Sequence, residues 1–307
     1  MKTQTEFDYF ITPDGTEYLL QDFGLRAVTT FSGYGMSPLE YRTQRAPYQD
    51  GQTLVGYSLT PRIIQLGFRR QTSCRTSYWD MRNTLLNTFR PGRGVYGRSS
   101  VATGVLRKIF PNGSKRDLNV VLEDSLTFSE DSKSWDAWAV EDVLRLIAHD
   151  PVFYDPTAVT NVFVSTAASE LTFPITFPIM FDTTGIDSSV NVTYTGTFHA
   201  YPVFTIQGPL NYPRLYNTTL SVEIRIMLAI AAGQTLTVDL RPTSRSVVDN
   251  LGTNYIGTIT GDSDYADWYI APAPEAPCGV NAIHVYGSDA AVATAISMSY
   301  NTRYIGI

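Results

Sequence analysis

The chain has 307 residues, of which 43% are hydrophobic and 17% charged, and its formal net charge is −6. A chain of this length can bury two cores of ordinary size and is too long for one small β domain, so we expect two domains. Its first residues lack the apolar segment of a secretory signal, and no apolar run reaches the ~20 residues that span a bilayer, which predicts a soluble protein made in a cytoplasm.

The first half of the chain reads as β strands joined by tight turns. Pro13-Asp14-Gly15 separates two short apolar runs, which is typical of a hairpin corner. Residues 106–121 repeat this arrangement around Asn112-Gly113, whose positive φ angles suit a tight hairpin. Residues 138–147 predict a further strand. The apolar positions of that strand that are candidates for the core are Val140, either Val143 or Leu144, and Leu146.

Residues 49–94 begin as hairpin-like sequence, with Gly51 and Gly56 as turn signals, and then change to helical spacing. The helix is predicted over residues 74–89, with Ser73 as its N-cap and Pro91-Gly92 as its stop. The side chains that recur at helical spacing and are expected to pack on a sheet are Tyr78, Leu85, Leu86 and Phe89.

Charge is unevenly distributed along the chain. Between residues 62 and 116 there are twelve cationic residues and a single acid, Asp80. Acids then cluster from residue 123 to 142, so that eighteen basic and eighteen acidic residues balance through Thr157. Five basic and eleven acidic residues follow, which places the whole net charge in the second half. Because the first half is neutral in sum, the pattern favours protein partners with alternating charged faces over nucleic acid.

Two Asp-Pro steps, at residues 150–151 and 155–156, predict a break in regular structure, because proline lacks a donor and restricts the preceding residue. We therefore place a domain boundary here, between an N-terminal domain of residues 1–155 and a C-terminal domain of residues 156–307. The second half contains short β-branched and aromatic runs separated by turn residues, which is typical of an antiparallel β-sandwich or jelly roll.

Motifs for catalysis, cofactor binding and metal binding are absent from the sequence. It has no Gly-x-Ser-x-Gly element, phosphate loop or dinucleotide fingerprint, and its three histidines stand singly. Asp262, Asp264 and Asp267 could offer oxygens to calcium, but their loop lacks the glycine and terminal glutamate of the familiar site. Cys74 and Cys278 fall in different predicted domains, so no disulfide is expected. We predict no catalytic, cofactor-binding or metal-binding residues.

Aromatic residues in the second half support a separate hypothesis. Tyrosine and tryptophan rings in the loops of a β-sandwich can stack on sugars, and the candidates for such stacking are Tyr265, Trp268 and Tyr269. The alternative is that these rings pack in the core or on a sheet face, as aromatic residues in strands usually do.

The order of these features resembles the distal tail protein family of long-tailed, siphovirus-type bacteriophages. The resemblance covers nearly the whole chain and is one of pattern and order. The segments that carry it in the first half are APYQDGQTLVGYSLTPRIIQLGFRRQ, SYWDMRNTLLNTFRPGRG, the arm around Lys115-Arg116-Asp117-Leu118, and LRLIAHDPVFYDP. In the second half they are YPVFTIQGPLNYPRLYN, AGQTLTVDLRP and SYNTRYIGI.

The resemblance implies a mainly β protein with two domains. The N-terminal domain would be a β-sandwich or barrel-like fold with one α-helix, closing into a homohexameric ring that continues the tail tube. The C-terminal domain would be a galectin-like β-sandwich on the outside. The implied role is a structural hub that joins the tube to the tail tip or baseplate, at the distal end of the virion tail, assembled in the host cytoplasm and without enzymatic activity.

Ring contacts between copies of one domain need two different complementary surfaces, and paired basic and acidic segments can form them. We therefore expect the arginines of the basic segment to lie at contacts between subunits or with tube and hub proteins. The candidate interface residues are Arg69, Arg70, Arg82, Arg90 and Arg93, with Glu123 and Asp124 on the acidic side. Because a basic lumen would retain DNA, we expect these arginines to be neutralised or turned from the channel, with no specific nucleic-acid binding and no membrane insertion.

A competing hypothesis is a carbohydrate-binding or adhesion protein that acts through the C-terminal β-sandwich, with a host-surface glycan as its ligand. A third is an enzyme acting on cell-wall polymer, which would need a pair of carboxylates facing each other across a cleft. The sequence does not display such a pair.

Overall fold

The computed structural model of the chain describes residues 6–20, 27–90, 102–128, 139–164, 185–291 and 293–307. Over these residues the fold is mainly β, with antiparallel strand pairing, which confirms the predicted fold class. The chain divides into two compact units: unit 1 contains residues 1–156 and 304–307, and unit 2 contains residues 157–303. The predicted C-terminal domain ran to residue 307, whereas the structure assigns the last four residues to unit 1.

The described strands of unit 1 are β1 (Phe7–Ile11), β2 (Glu17–Leu19), β3 (Ala27–Ser32), β4 (Leu39–Gln44), β5 (Thr53–Leu59), β6 (Arg62–Gln71), β7 (Gly104–Ile109), β8 (Lys115–Leu122), β9 (Ala139–Ala148) and the beginning of β10 (Phe153–Val164). Strands β2, β1, β7 and β8 pair in that order, and β3, β6 and β9 form a second series. The end of β8 joins the two series, because Val121 and Leu122 pair with β9. Strands β4 and β5 pair with each other in a separate two-stranded sheet.

Local turn chemistry accounts for two of these hairpins. Gly15 lies between β1 and β2 with φ 87°, and Gly113 lies between β7 and β8 with φ 80°. A glycine takes positive φ without a steric cost, so both predicted hairpins form where the turn residues placed them. The predicted break at the second Asp-Pro step is wrong, because β10 continues through Asp155-Pro156. A proline keeps the preceding residue extended, which suits a strand. Its missing N–H is tolerated at a position where the strand needs no hydrogen bond from that nitrogen to a neighbouring strand.

The helix α1 (Arg75–Phe89) confirms the predicted helix, with one correction at its start and one on its buried face. Cys74 occupies the N-cap without a side-chain cap bond, so Ser73 is not the cap. Leu86 was expected to be buried and is 46% exposed, because the face that packs on the sheets is turned away from it. The stop predicted at Pro91-Gly92 lies outside the described residues. The buried residues of α1 are Tyr78, Met81, Leu85, Thr88 and Phe89.

The core of unit 1 lies between the two strand series and α1. Its members come from both series and from the helix, and include Phe10, Leu66, Leu106, Leu118, Leu144 and Leu146. In β9 the register decides between the two candidate positions: Leu144 is buried and Val143 is 49% exposed. Tyr304 and Ile307, at the end of the sequence, pack against the same core.

Unit 2 is built from two antiparallel sheets around one core. Besides the end of β10, its described strands are β11 (Gly185–Thr193), β12 (Val203–Gln207), β13 (Leu210–Asn217), β14 (Val222–Arg225), β15 (Ala229–Ile230), β16 (Thr235–Asp239), β17 (Ser246–Asp249), β18 (Val280–Ser288) and β19 (Ala295–Tyr304). One sheet has the order β17-β16-β12-β19, and the other has the order β11-β18-β13-β14 with β15 beside β13. Two short 3₁₀ helices, Ile256–Thr258 and Pro277–Gly279, lie between β17 and β18.

Candidate assembly surface

Several cations of the predicted basic segment are neutralised inside unit 1. Arg107 donates from two nitrogens to the two carboxylate oxygens of Asp117, each at 2.8 Å, and lies 3.0 Å from Glu17. The hydrogen bond with Asp117 raises the pKa of Arg107. Two further cations are paired in the same unit: Lys108 with Glu6 and Asp8, and Arg116 with Asp155. The dense run of cations in the sequence therefore does not produce an equally dense positive charge on the surface of unit 1.

Arg62, the first cation of that segment, is buried in unit 1 with 1% of its surface exposed. Its guanidinium donates to four backbone carbonyls: Pro151 O at 2.8 Å, Gly33 O at 2.5 Å, Gly35 O at 2.6 Å and Ile305 O at 2.5 Å. It also lies 4.8 Å from the centre of the Phe153 ring. Burial lowers the pKa of Arg62 to about 10. The charge is compensated by carbonyl dipoles from three distant segments, which makes Arg62 a structural centre of unit 1.

The predicted interface residues lie on separate elements of unit 1. Arg69 is exposed on β6, and Arg90 is exposed at the end of α1. Glu123 lies 3.1 Å from Arg145 in an ion pair within the unit. Asp124 is exposed and accepts a hydrogen bond from the Ser125 amide. Arg93 and the side chain of Arg70 lie outside the described residues. The role of this set in subunit contacts stays a prediction.

The hairpin of β4 and β5 has an exposed apolar face. Tyr41 pairs with Tyr57, and Thr43, two residues further along β4, pairs with Leu54, so these side chains share one face of the ribbon. Tyr41, Tyr57 and Leu54 are 59%, 61% and 61% exposed. On β4 the opposite face is polar and carries Glu40, Arg42 and Gln44. An isolated two-stranded hairpin is only marginally stable in water. A contiguous exposed apolar face is also typical of a surface that another protein covers. Both points indicate that a partner covers this ribbon.

Sequence reasoning predicted hairpin-like sequence from residue 49, and Gly51 does lie between β4 and β5 with φ 80°. Gly56 was predicted as a turn residue but lies inside β5, paired with Arg42, so that prediction is wrong. The apolar face was not identified. The alternation of apolar residues along β4 and β5 was the available signal, and it predicts one apolar side without saying whether that side faces the core of its own chain.

A second exposed stripe, which contains two large apolar side chains, runs along α1. Trp79, Asn83, Leu86 and Arg90 follow one another at helical spacing, and Trp79 and Leu86 are 43% and 46% exposed. We call these four residues the helix stripe. Beside it, the Arg82 guanidinium lies 4.8 Å from the centre of the Trp79 ring and 4.9 Å from that of Phe128.

A groove of about 440 Å³ borders the C-terminal half of the helix stripe. It lies between α1 and the turn that joins β1 to β2. Its lining residues are Thr12, Pro13, Asp14, Tyr18, Thr84, Asn87, Thr88 and Arg90. The stripe and groove together give unit 1 an exposed surface that is distinct from the hairpin.

The three candidates for sugar stacking have different environments in unit 2. Trp268 is wholly buried, packs edge-on against Phe204 at 5.1 Å, and donates from Nε1 to Leu215 O at 3.2 Å. It cannot stack on a sugar, and its prediction is corrected on that ground. Tyr265 is half-buried and donates to Asp239 O. Tyr269 is partly exposed, its hydroxyl donates to Glu275 at 3.3 Å, and its ring lies 4.3 Å from that of His199.

Two of the three aspartates considered for calcium have protein partners in unit 2. Asp262 pairs with Arg225 at 3.0 Å, and an Asp264 oxygen accepts from the Glu223 amide at 3.0 Å. Within the described parts of the chain, no three histidine, cysteine or acidic side chains are close enough together to hold a metal ion. None of the helices in those same parts has the length and apolar character needed to cross a membrane.

The architecture defines a mainly β protein with two units, of which the first contains a single long helix among its described residues. Among solved structures, the chain shares its fold with the crystal structure of the SPP1 Dit (gp 19.1) protein, described as a paradigm of the hub adsorption apparatus in Gram-positive-infecting phages. The TM-score is 0.60 at 12% sequence identity, over 96% of this chain and 98% of that one. This is the fold that the sequence resemblance implies.

The phage P2 baseplate in its activated conformation with Ca has a TM-score of 0.44 at 8% identity, over 96% of this chain and 97% of that one. That score is too low to support an inference. No protein-family model and no curated protein matches the sequence.

Proposed function

We propose that this chain is a structural subunit of a bacteriophage tail that forms a ring through unit 1 and joins the tail tube to the tail tip or baseplate. The observation that carries the proposal is the apolar face of the β4–β5 hairpin, with Tyr41, Leu54 and Tyr57 more than half exposed. A contiguous apolar face on a two-stranded ribbon marks a surface that another protein covers.

The first argument for a second copy as the covering protein is that a ring repeats one contact, in which this face of each chain is covered by a different surface of the next chain. The second is the fold shared with the SPP1 Dit protein, whose description names a hub. We further propose that the ring contains six copies and that unit 2 is galectin-like. The ring would lie at the distal end of the tail and assemble in the host cytoplasm. The role is structural and requires no catalytic residue.

Negative-stain imaging of the purified chain tests the proposal. We expect rings with a central hole and sixfold symmetry. The Tyr57→Asp variant places a charge on the apolar face and should give single particles only. Gln44→Asp places the same charge on the polar face of the same hairpin and should still give rings. Wild-type fields that contain only single particles at high concentration would overturn the proposal.

A second candidate function is glycan binding by unit 2, favoured by the surroundings of Tyr269. Its ring lies 4.3 Å from that of His199, and both side chains contact Glu275, at 3.3 Å from the Tyr269 hydroxyl and 2.9 Å from His199 Nε2. A partly exposed ring beside polar groups can both stack on a sugar and hydrogen-bond to it.

A glycan array tests this second function. Binding by the wild type that is lost in Tyr269→Ala and kept in Tyr286→Ala, an exposed tyrosine elsewhere in unit 2, would support it. Absence of binding by the wild type at millimolar glycan concentrations would contradict the glycan-binding function.

A further inference from the structure

We propose that residues 304–307 form a strap that fixes the base of the β4–β5 hairpin and thereby makes unit 1 ready to assemble. The name strap refers to these residues throughout. The hairpin base consists of residues 33–38, which lead into β4, and residues 60–62, which follow β5. The inference rests on the proposed function, since it takes the apolar face of this hairpin to be the assembly surface.

Arg62 joins the two segments of the hairpin base. It begins β6, soon after β5 ends, and its guanidinium donates to the carbonyls of Gly33 and Gly35, which precede β4. The Thr60 amide also donates to Pro38 O at 3.1 Å, next to the end of the β4–β5 ladder. One buried cation therefore holds together the segments that enter and leave the hairpin.

The strap adds two hydrogen bonds to the hairpin base. Ile305 O accepts from Arg62 at 2.5 Å, and the Ile307 amide donates to Tyr34 O at 3.0 Å. The carbonyls of residues 33–35 are thus all bound, two by Arg62 and one by the strap. Because hydrogen bonds to charged donors are stronger than neutral ones, the strap also takes part in fixing the guanidinium.

Gly306 allows the strap to lie directly against the backbone of residue 35. A Cβ added at Gly306 would lie 2.6 Å from the carbonyl oxygen of Gly35 and 2.8 Å from its carbonyl carbon, which is closer than a side chain can approach. A Cβ added at Gly35, by contrast, would have open space around it. A side chain at position 306 therefore opens the strap while Arg62 and the hairpin keep their own residues.

The strap is held less firmly than the sheets of unit 1. Tyr304 and Ile307 pack against the core of the unit, and the Arg116 guanidinium lies 3.6 Å from the centre of the Tyr304 ring. All residues of the strap are nevertheless only partly buried. A short, partly exposed segment with few hydrogen bonds opens at a lower free-energy cost than paired strands. The strap can therefore open while the sheets of unit 1 stay folded.

Opening of the strap disconnects the hairpin base. Arg62 then loses one of its four carbonyls, and Tyr34 O loses its donor. A buried donor without its full set of partners is costly, so the guanidinium moves towards water and releases residues 33–35. The hairpin is then no longer held in one orientation. A surface that is not preorganised pays an ordering cost on binding, which weakens the assembly contact.

The position of the strap in the chain gives this coupling a consequence for assembly. The strap follows unit 2 directly, because β19 of that unit ends at Tyr304. A chain is synthesised from its N-terminal end, so the hairpin base becomes fixed only after unit 2 has been made. The strap thereby keeps incomplete chains out of the ring.

Gly306→Ala tests the strap, and Gly35→Ala is its matched control on the other side of the same contact. Hydrogen exchange is measured by mass spectrometry on the diluted monomer. We expect exchange in residues 33–38 to be about tenfold faster in Gly306→Ala, with unchanged exchange in β7 and β8. Native mass spectrometry at higher concentration should show that this variant forms fewer rings than the wild type. Gly35→Ala should match the wild type in both measurements.

A second pair of substitutions tests the strap without forcing a side chain into the contact. Ile307→Pro removes the amide that donates to Tyr34 O, whereas Ile307→Val keeps it. Ile307→Pro should speed exchange in residues 33–38 by a smaller factor than Gly306→Ala, and Ile307→Val should not change it. Circular dichroism establishes that each variant is folded, and Ile307→Pro carries the test if Gly306→Ala does not fold.

The remaining outcomes separate the strap from the proposed function. Unchanged exchange in the hairpin base of the folded variants would overturn the strap, and so would faster exchange throughout unit 1, because the strap would then be part of one cooperative fold. Faster exchange at the base with rings as abundant as in the wild type would overturn its role in assembly. A wild type that is monomeric at every concentration would refute the proposed function, while exchange in the monomer still decides whether the strap fixes the hairpin base.

Discussion

Unit 1 and unit 2 differ in how they cover their strands. In unit 2 the described strands β11 to β19 all belong to two sheets that enclose one core. In unit 1 the β4–β5 hairpin pairs with itself and leaves an apolar face uncovered. Strands β11 to β19 pack on a core of their own unit, whereas the uncovered apolar ribbon of unit 1 points to a partner. The difference places the proposed assembly contacts in unit 1.

The two units also compensate their buried polar groups differently. In unit 2 the buried Asn281 does so with a neutral amide, which exchanges hydrogen bonds of 2.9 Å with both backbone groups of Ala271. Unit 1 uses the charge of Arg62, and one of the carbonyls that holds it belongs to Ile305. Because Ile307 also donates from its amide to Tyr34 O at 3.0 Å, the last residues of the sequence are part of the structure of unit 1.

The largest effect should come from Arg62→Met. The substitution leaves four buried carbonyls without their donor, and we expect it to lower the free energy of unfolding of unit 1 by about 3 to 5 kcal/mol. Hydrogen exchange measured by mass spectrometry should show faster exchange in peptides of unit 1 and unchanged exchange in unit 2. The control Arg42→Met, at an exposed arginine of β4, should change stability by less than about 0.5 kcal/mol. Equal effects of the two substitutions would show that Arg62 is not the structural centre inferred from its contacts.

Asn281→Ala should give the next largest effect, this time in unit 2. It removes the bonds to Ala271 and a further one to Gly279 O, so backbone groups in the core lose their partners. We expect a loss of about 2 to 3 kcal/mol, seen as faster exchange in peptides of unit 2 alone. Faster exchange in both units would mean that the units do not unfold independently, and the comparison between them would fail.

Asp239→Asn should have a smaller effect that depends on pH. Burial raises the pKa of Asp239, but hydrogen bonds from Arg241 and Ser244 lower it more, so the folded pKa lies below the ordinary 3.8. The stabilisation is therefore present above the unfolded pKa and is lost as pH falls through the folded pKa. We expect a loss of about 1 kcal/mol at pH 7, shrinking towards pH 3. A loss that is the same at both pH values would contradict the ion-pair assignment.

Tyr41→Ser should have the smallest effect on stability and a large effect on assembly. Its side chain is more than half exposed, so its removal should change the free energy of unfolding of the monomer by about 0.5 kcal/mol or less. Melting of the diluted monomer followed by circular dichroism measures this. A loss above about 2 kcal/mol would show that the hairpin face is packed on its own chain in solution.

The sequence determined the elements whose causes are local. Gly15 and Gly113 place two hairpins because a tight turn needs positive φ, and helical spacing locates α1 to within one residue of its start. The sequence could not decide which of Val143 and Leu144 is buried. The two side chains point to opposite faces of the sheet, and only the packing of distant segments determines which face is covered. Leu86 was predicted to be buried for the same reason. Helical spacing shows which residues share a side of the helix, but tertiary packing determines which side faces the core.

Features that depend on distant segments could not be predicted. Arg62 was counted as a surface cation because its partners come from residues 33–35, 151 and 305, which are remote in sequence. Trp268 was expected in a loop and is buried because its indole nitrogen finds Leu215 O across unit 2. The hairpin face was missed as a candidate site because apolar alternation predicts a buried side without identifying whose surface buries it.

Native mass spectrometry of the wild type over a dilution series tests the central claim most directly, because it separates ring closure from open growth. We predict two species, the monomer of 34.1 kDa and a closed species of six times that mass, with intermediates scarce. A continuous ladder of sizes, or the monomer alone at every concentration, would contradict the claim that unit 1 builds a closed ring.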